Sequence, residues 1–221
     1  MATLPSPREL VATLISTISR PSDDNVPTGN PLKDSPPEIQ KALLTLHVLF
    51  PNELLPALDL LDRGLVTRFV LSQHRPEAPE AAKTDETTER RPTELYYVRS
   101  AQQSQSRYRS AMPVQTPSYE VRLTSWSCSC PAFAFAAFPV DPPASRTSEL
   151  PDYAGLDVNR NVERQRTTWT FGGLTLGTDM PVCKHLLACV LVERCEIFRP
   201  FAAEQEVSFE ELAGWAAGWG D

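Results

Sequence analysis

Three helical patterns open the chain. Ser6-Pro7-Arg8-Glu9 has the form of a capping box with proline at the first helical position. Beyond it Leu10, Val11, Leu14, Ile15 and Ile18 recur at helical spacing and predict one apolar stripe. Residues 20–35, RPSDDNVPTGNPLKDS, carry no such pattern and read as a linker. Ser35-Pro36-Pro37-Glu38 then starts a second helix, with Ile39, Ala42, Leu43 and Leu46 on one face. After FPN a third helical run carries Leu54, Leu55, Leu58 and Leu61. It tolerates Pro56 near its start, where a missing N–H costs least, and meets Gly64, a residue suited to end it.

Strand-like patterns follow. LVTRFVLS (65–72) and ELYYVRSA (94–101) are rich in β-branched and aromatic residues, and the polar stretch 73–93 between them reads as a flexible loop. SYEVRLTSW (118–126) alternates cleanly: Tyr119, Val121 and Leu123 face one way, Glu120, Arg122 and Thr124 the other. A second polar insertion covers about 139–170. PVCKHLLACVLVERCEIF then reads as a helix with a stripe of Leu187, Val190 and Leu191, and with Arg194 near its C-terminal end, where a cation suits the dipole. Ser208-Phe209-Glu210-Glu211 forms a further capping-box pattern. Leu212, Trp215 and Trp219 follow it near one helical face, despite Gly214 and Gly218. Such a helix suits a partner's groove or this protein's own helices.

The order is helices, a small antiparallel sheet, then a turn and helix bearing cysteines, which predicts an α+β fold with long disordered insertions. It divides into an N-terminal helical region (1–64), a strand-rich region (65–200) with the cysteine unit at about 118–198, and a tail (201–221). No fixed-period repeat suggests a solenoid.

Composition adjusts this picture in two ways. The 21 prolines gather outside the apolar segments, consistent with a core interrupted by long connections. The net charge of −7 argues against a simple electrostatic nucleic-acid binder. Glu204, Glu206, Glu210, Glu211 and Asp221 supply much of it, so the body is close to neutral. Within that body Arg99, Arg107, Arg109 and Arg122 outnumber Glu120. With Tyr96, Tyr97, Tyr108 and Trp126 nearby, they form a mix able to hold phosphates and stack bases.

The opening segment lacks the basic and apolar regions of a secretory signal. The longest apolar runs, AFAFAAF and LLACVLV, fall far short of the roughly 20 residues that span a bilayer. An intracellular, non-membrane protein is therefore expected, in which clustered cysteines point to metal or chemistry before disulfides.

Of five cysteines, Cys128 and Cys130 lie one residue apart, as do Cys183 and His185, with 52 residues between the pairs. Alternate residues on a strand point the same way, so the first pair can converge on one ion. The second pair sits at a helix start, where free N–H groups can donate to sulfur. Three thiolates and one imidazole fit a closed, tetrahedral structural Zn²⁺ site. A catalytic zinc is an alternative, but it needs an open position and a general base, and the H-x-E…P-C-x-x-C pattern is absent. Buried thiols with a surface histidine are a second alternative. Cys189 and Cys195 read as small core residues, and His47 and His74 as structural or solvated. Phe133 and Phe135 read as packing beneath the cysteine turn rather than as part of an F-x-x-A recombinase-binding pattern.

The CxC…CxH set resembles the SWIM-type zinc finger. SCSCPAFAFAAF with CKHLLACVL, preceded by LLPALDLLDRGLVTRF, YYVRS and YEVRLTSW, resembles the SWIM-domain subunits of the Shu complex. The similarity covers roughly residues 38–71, 94–101, 118–138 and 180–198, and this chain departs from it in the length of its insertion. The resemblance implies that Cys128, Cys130, Cys183 and His185 are zinc ligands. It also implies a non-catalytic adaptor that forms a heterodimer with a RecA-like recombinase paralogue. Such a pair promotes recombinase filament assembly in homologous-recombination DNA repair, with single-stranded DNA reached through the partner and a location in the nucleus, and also the cytoplasm. No GxxxxGK[ST] loop is present, so ATP handling would belong to that partner.

Overall fold

The capping box at Ser6 forms as its spacing predicts. The Glu9 N–H donates to the Ser6 hydroxyl at 3.3 Å, and the Ser6 N–H donates to the Glu9 carboxylate at 2.8 Å. Helix α1 then runs Pro7–Ile18 and buries Val11, Ile15 and Ile18. These details come from a computed structural model that describes residues 5–19, 33, 35–72, 95–101, 117–139, 169, 171–173 and 180–217. The stretch 73–93, nearly all of the 20–35 linker and most of the 139–170 insertion lie outside them.

Helix α2 (Pro37–Leu49) buries the expected Ile39, Ala42, Leu43 and Leu46. It starts within the expected Ser35–Glu38 segment, with Pro36 as an N-cap that offers no side-chain bond. Ser35 instead presents its carbonyl to the Gln40 side chain at 2.9 Å. Helix α3 (Leu54–Asp62) buries Leu54, Ala57, Leu60 and Leu61, leaving Leu55 exposed and Leu58 half-buried. Its stripe is rotated from the expected one because it packs on a central helix as well as on α2. Gly64 ends α3 at φ 59°, a left-handed conformation that suits glycine.

Five strands form one sheet in the order β4-β3-β2-β1-β5: β1 Val66–Leu71, β2 Leu95–Arg99, β3 Ser118–Arg122, β4 Ser127–Cys128 and β5 Ala202–Val207. The expected strand at 118–126 is split, because residues 123–126 turn between β3 and β4 and Trp126 adopts φ 51°. The first four strands pair antiparallel. β5 lies parallel to β1, with Arg68 opposite Glu204, so the first part of the acidic tail belongs to the sheet. Helix α6 (Phe209–Ala216), after a formed Ser208–Glu211 capping box, folds back on the sheet. Trp215 sits 4.9 Å from the Tyr97 ring and 5.1 Å from Phe69. Of the two roles suited to that helix, the structure therefore displays packing on its own chain; Trp219 is outside the described residues.

The opposite face of the sheet carries α5 (Lys184–Arg194), which lies between the sheet and α3. Every residue from His185 to Val192 is buried, rather than one stripe, because partners cover the helix on more than one side. A 3-10 turn (Glu196–Phe201) carries the chain from α5 into β5. At the polar end of α5, the Tyr96 hydroxyl donates to Glu193. Arg68 pairs with Glu193 at 3.3 Å and with Glu204 at 3.0 Å, so one guanidinium ties α5 to β1 and β5.

Removing the Tyr96 hydroxyl leaves a largely enclosed carboxylate short of a donor. Tyr96→Phe is expected to lower stability by about 1–3 kcal/mol in urea unfolding, with an unchanged m-value.

Candidate metal centre

Two chain reversals bring the four candidate ligands together. Cys128 ends β4, opposite Val121 of β3. Ser129, between the two cysteines, is held on the other side: its N–H donates to the Glu120 carbonyl and its hydroxyl accepts from the Glu120 N–H, both at 2.9 Å. Cys128 and Cys130 consequently point the same way, as strand alternation predicts, although Cys130 has already left the strand. It is the N-cap of α4 (Pro131–Ala137), where the Phe133 N–H donates to its sulfur at 3.3 Å. Cys183 plays the same part for α5, accepting from the Leu186 N–H at 3.4 Å. In both places sulfur does what a serine or aspartate oxygen does at an ordinary N-cap.

His185, on the first turn of α5, completes the group. The ligand atoms of Cys128, Cys130, Cys183 and His185 all lie within 4.8 Å of one another, and all four residues are buried. A tetrahedral ion with bonds of about 2.0–2.3 Å closes such a group with a modest inward movement. The imidazole supplies the test of fit. Its Nε2 is buried without a hydrogen-bond partner, and its Nδ1 has only a 4.0 Å contact with the Cys128 sulfur. A buried ring left so poorly bonded is costly, and ligation through one nitrogen gives that nitrogen the partner it lacks. The thiols point to the same conclusion. Contact with Cys130 and Cys183, then burial, pushes the Cys128 thiol up, whereas contact with Cys128, then Cys183, pulls Cys130 down. Three sulfurs this close to one another and to an imidazole suit a shared cation. The donors can therefore hold a metal ion.

Residues around the ligands set their orientation. The Tyr119 ring lies 4.7 Å from the His185 ring. The Trp126 indole N–H donates to the Pro181 carbonyl at 2.9 Å, joining the turn before Cys128 to the stretch before Cys183. Trp169 and Phe171, at the far end of the insertion, lie 4.8 and 5.6 Å from Trp126. The sequence reading places Trp169 in the polar insertion and gives Phe171, just beyond it, no role; the aromatic and glycine pairs of WTFGG are the available signal.

The other candidates fall elsewhere. Cys189 and Cys195 are buried outside the cluster, with Cys195 3.8 Å from the Ser19 hydroxyl. His47 lies on α2 and His74 outside the described residues. Phe133 is buried as expected, but Phe135 is 73% exposed. On the short helix α4 the two rings point different ways, so only the first packs beneath the turn. Tyr96, Tyr97 and Trp126 are buried and offer no stacking platform, while Arg122 pairs with Glu120. Arg107, Tyr108 and Arg109 are outside the described residues.

The chain matches no family model, no curated protein and no solved structure. None of the described helices is long and apolar enough to cross a membrane.

Cys128→Ser and Cys130→Ser are each expected to lose bound metal and several kcal/mol of stability, whereas Cys195→Ser keeps the metal. Elemental analysis of purified variants separates the two classes, and equal loss in all three would show the ligand set to be wrong.

Proposed function

We propose that this chain is a non-catalytic, zinc-binding adaptor that pairs with a RecA-like recombinase paralogue in homologous-recombination DNA repair. The observation that carries this reading is a closed, buried Cys₃His group set directly beside an exposed apolar helix. Three soft thiolates and one imidazole favour zinc over the hard cations that prefer oxygen. Four protein donors would complete a tetrahedral zinc shell, leaving no position for the water that hydrolytic or deaminating chemistry requires. Zinc with three thiolates would carry a net −1 charge, which the N-terminal end of α5 would stabilise and the neighbouring Lys184 could help to offset. The metal's part is then to join the β3–β4 turn to α5.

The adaptor role rests on what lies next to that joint. From Pro131 to Pro139 the chain has no polar side chain, yet Phe135 and Phe138 are 73% and 76% exposed. An apolar surface of this kind on a charged protein suits a protein partner. The identity of the partner follows from the resemblance to SWIM-domain subunits of the Shu complex, which also supports a nuclear location and contact with single-stranded DNA through the partner. The competing reading, a finger that stacks on single-stranded nucleic acid directly, is disfavoured because Tyr96, Tyr97 and Trp126 are enclosed.

Affinity purification from the native cell, with metal analysis of the eluate, tests both halves. Stoichiometric zinc and a co-eluting RecA-like paralogue are expected. The double variant Phe135→Asp/Phe138→Asp should retain zinc and lose the partner. A zinc-free eluate, or a partner kept by the double variant, would count against the proposal.

A further inference from the structure

The two ligand pairs are 52 residues apart, and a chain of that length closes on an ion at a considerable entropic cost. The structure contains a device that shortens the closure. Trp169 and Phe171–Gly173 return to the 123–126 turn just ahead of Cys128. The Gly172 N–H donates to the Leu123 carbonyl at 3.1 Å, and the Trp169 indole N–H donates to the Gly172 carbonyl at 3.0 Å. Trp126, Trp169 and Phe171 pack edge-to-face and tilted against one another, with ring centroids 4.8, 5.3 and 5.6 Å apart. The approach is so close that a Cβ on Gly172 would lie 1.8 Å from the Thr124 carbonyl oxygen. A Cβ on Gly173, which has φ 79°, would lie 2.6 Å from the Trp126 Cβ. Two cations flank the three rings: Arg8 of α1 lies 5.4 Å from the Trp169 ring, and Arg194 of α5 lies 4.8 Å from Phe171.

We propose that Trp169 and Phe171–Gly173 form an aromatic clamp that positions the second ligand pair, so that the length of the insertion no longer governs metal binding. They are positioning residues, and none belongs to the ligand cluster. From Gly173 only nine residues lead to Cys183. Closing nine residues instead of fifty-two raises the local concentration of Cys183 and His185 by roughly tenfold. The bond from Trp126 to the Pro181 carbonyl holds that short connection to the same turn. The inference rests on the zinc reading above and adds to it a role for the end of the insertion.

Zinc affinity by chelator competition, measured on the full chain, tests the clamp. Trp169→Ala should weaken binding about tenfold, while Trp169→Phe, which keeps a ring, stays near the unaltered value. Inserting about fifty Gly/Ser residues within 140–168 doubles the free chain and should cost Trp169→Ala roughly a further threefold, but leave the unaltered chain unchanged. Residues that merely fill space would not create this dependence on length. Equal affinity in Trp169→Ala and the unaltered chain would overturn the proposal, as would equal sensitivity to the insertion. Should Trp169→Ala fail to fold, Phe171→Leu with and without the insertion decides: a loss of affinity that grows with the insertion supports the clamp, and an affinity equal to the unaltered chain's rejects it. An unaltered chain that takes up no zinc would remove the metal reading, and the clamp's role with it; the other negative results leave zinc binding intact.

Discussion

Helix α5 can be buried on all sides only if every neighbour supplies an apolar surface, and the rest of the fold is arranged around that requirement. His185 to Val192 are all enclosed, by the sheet on one side and by α3 and other helices elsewhere. Removing eight consecutive side chains from water is a large hydrophobic contribution, of the order of 10 kcal/mol or more before entropy is counted. The same burial carries the N-terminal end of α5, with Cys183 and His185, against the β3–β4 turn. Packing therefore places α5 beside the turn, and the contacts of Trp169 and Phe171 with Trp126 tie the chain ahead of Cys183 to that same turn.

A helix enclosed in this way has few places for a charge. Glu193 is tolerated because Tyr96 donates to it and Arg68 pairs with it, and Arg68 reaches on to Glu204. These polar contacts do not outweigh the apolar core; they select a register. The Arg68–Glu204 contact spans β1 and β5 at the position where those strands are opposite each other. A one-residue slip would turn Arg68 to the other face of the sheet and leave Glu193 poorly compensated.

The surface around the centre divides into enclosed and presented aromatics. Trp126, Trp169, Phe171 and Phe133 face inward and hold the turn. Phe135 and Phe138 face outward on a helix with no polar residue of its own. That asymmetry underlies the adaptor proposal: one side of the cysteine turn serves folding and the other remains available for association. It also explains why a seven-residue helix with so little inward surface can persist, since the Cys130 sulfur accepts its Phe133 N–H and Phe133 anchors it.

Local signals were legible in the sequence because their causes lie within a few residues. The capping boxes at Ser6 and Ser208, the buried face of α2, the stop at Gly64 and the convergence of Cys128 with Cys130 all depend on near neighbours, and all formed. The grouping of CxC with CxH was also legible, because few side chains other than cysteine and histidine make such pairs useful. What spacing could not reveal was decided by distant chain. Nothing in AAEQEV announces a strand; it became β5 because β1 lay beside it with an open edge. Likewise the stripe of α3 rotated, α5 was buried all round rather than along one face, and Phe135 turned outward, each according to which element arrived on which side. Trp169 and Phe171 acquired a role only when the end of the insertion returned to Trp126. Periodicity reports that a face will be buried, but only tertiary contact decides what buries it.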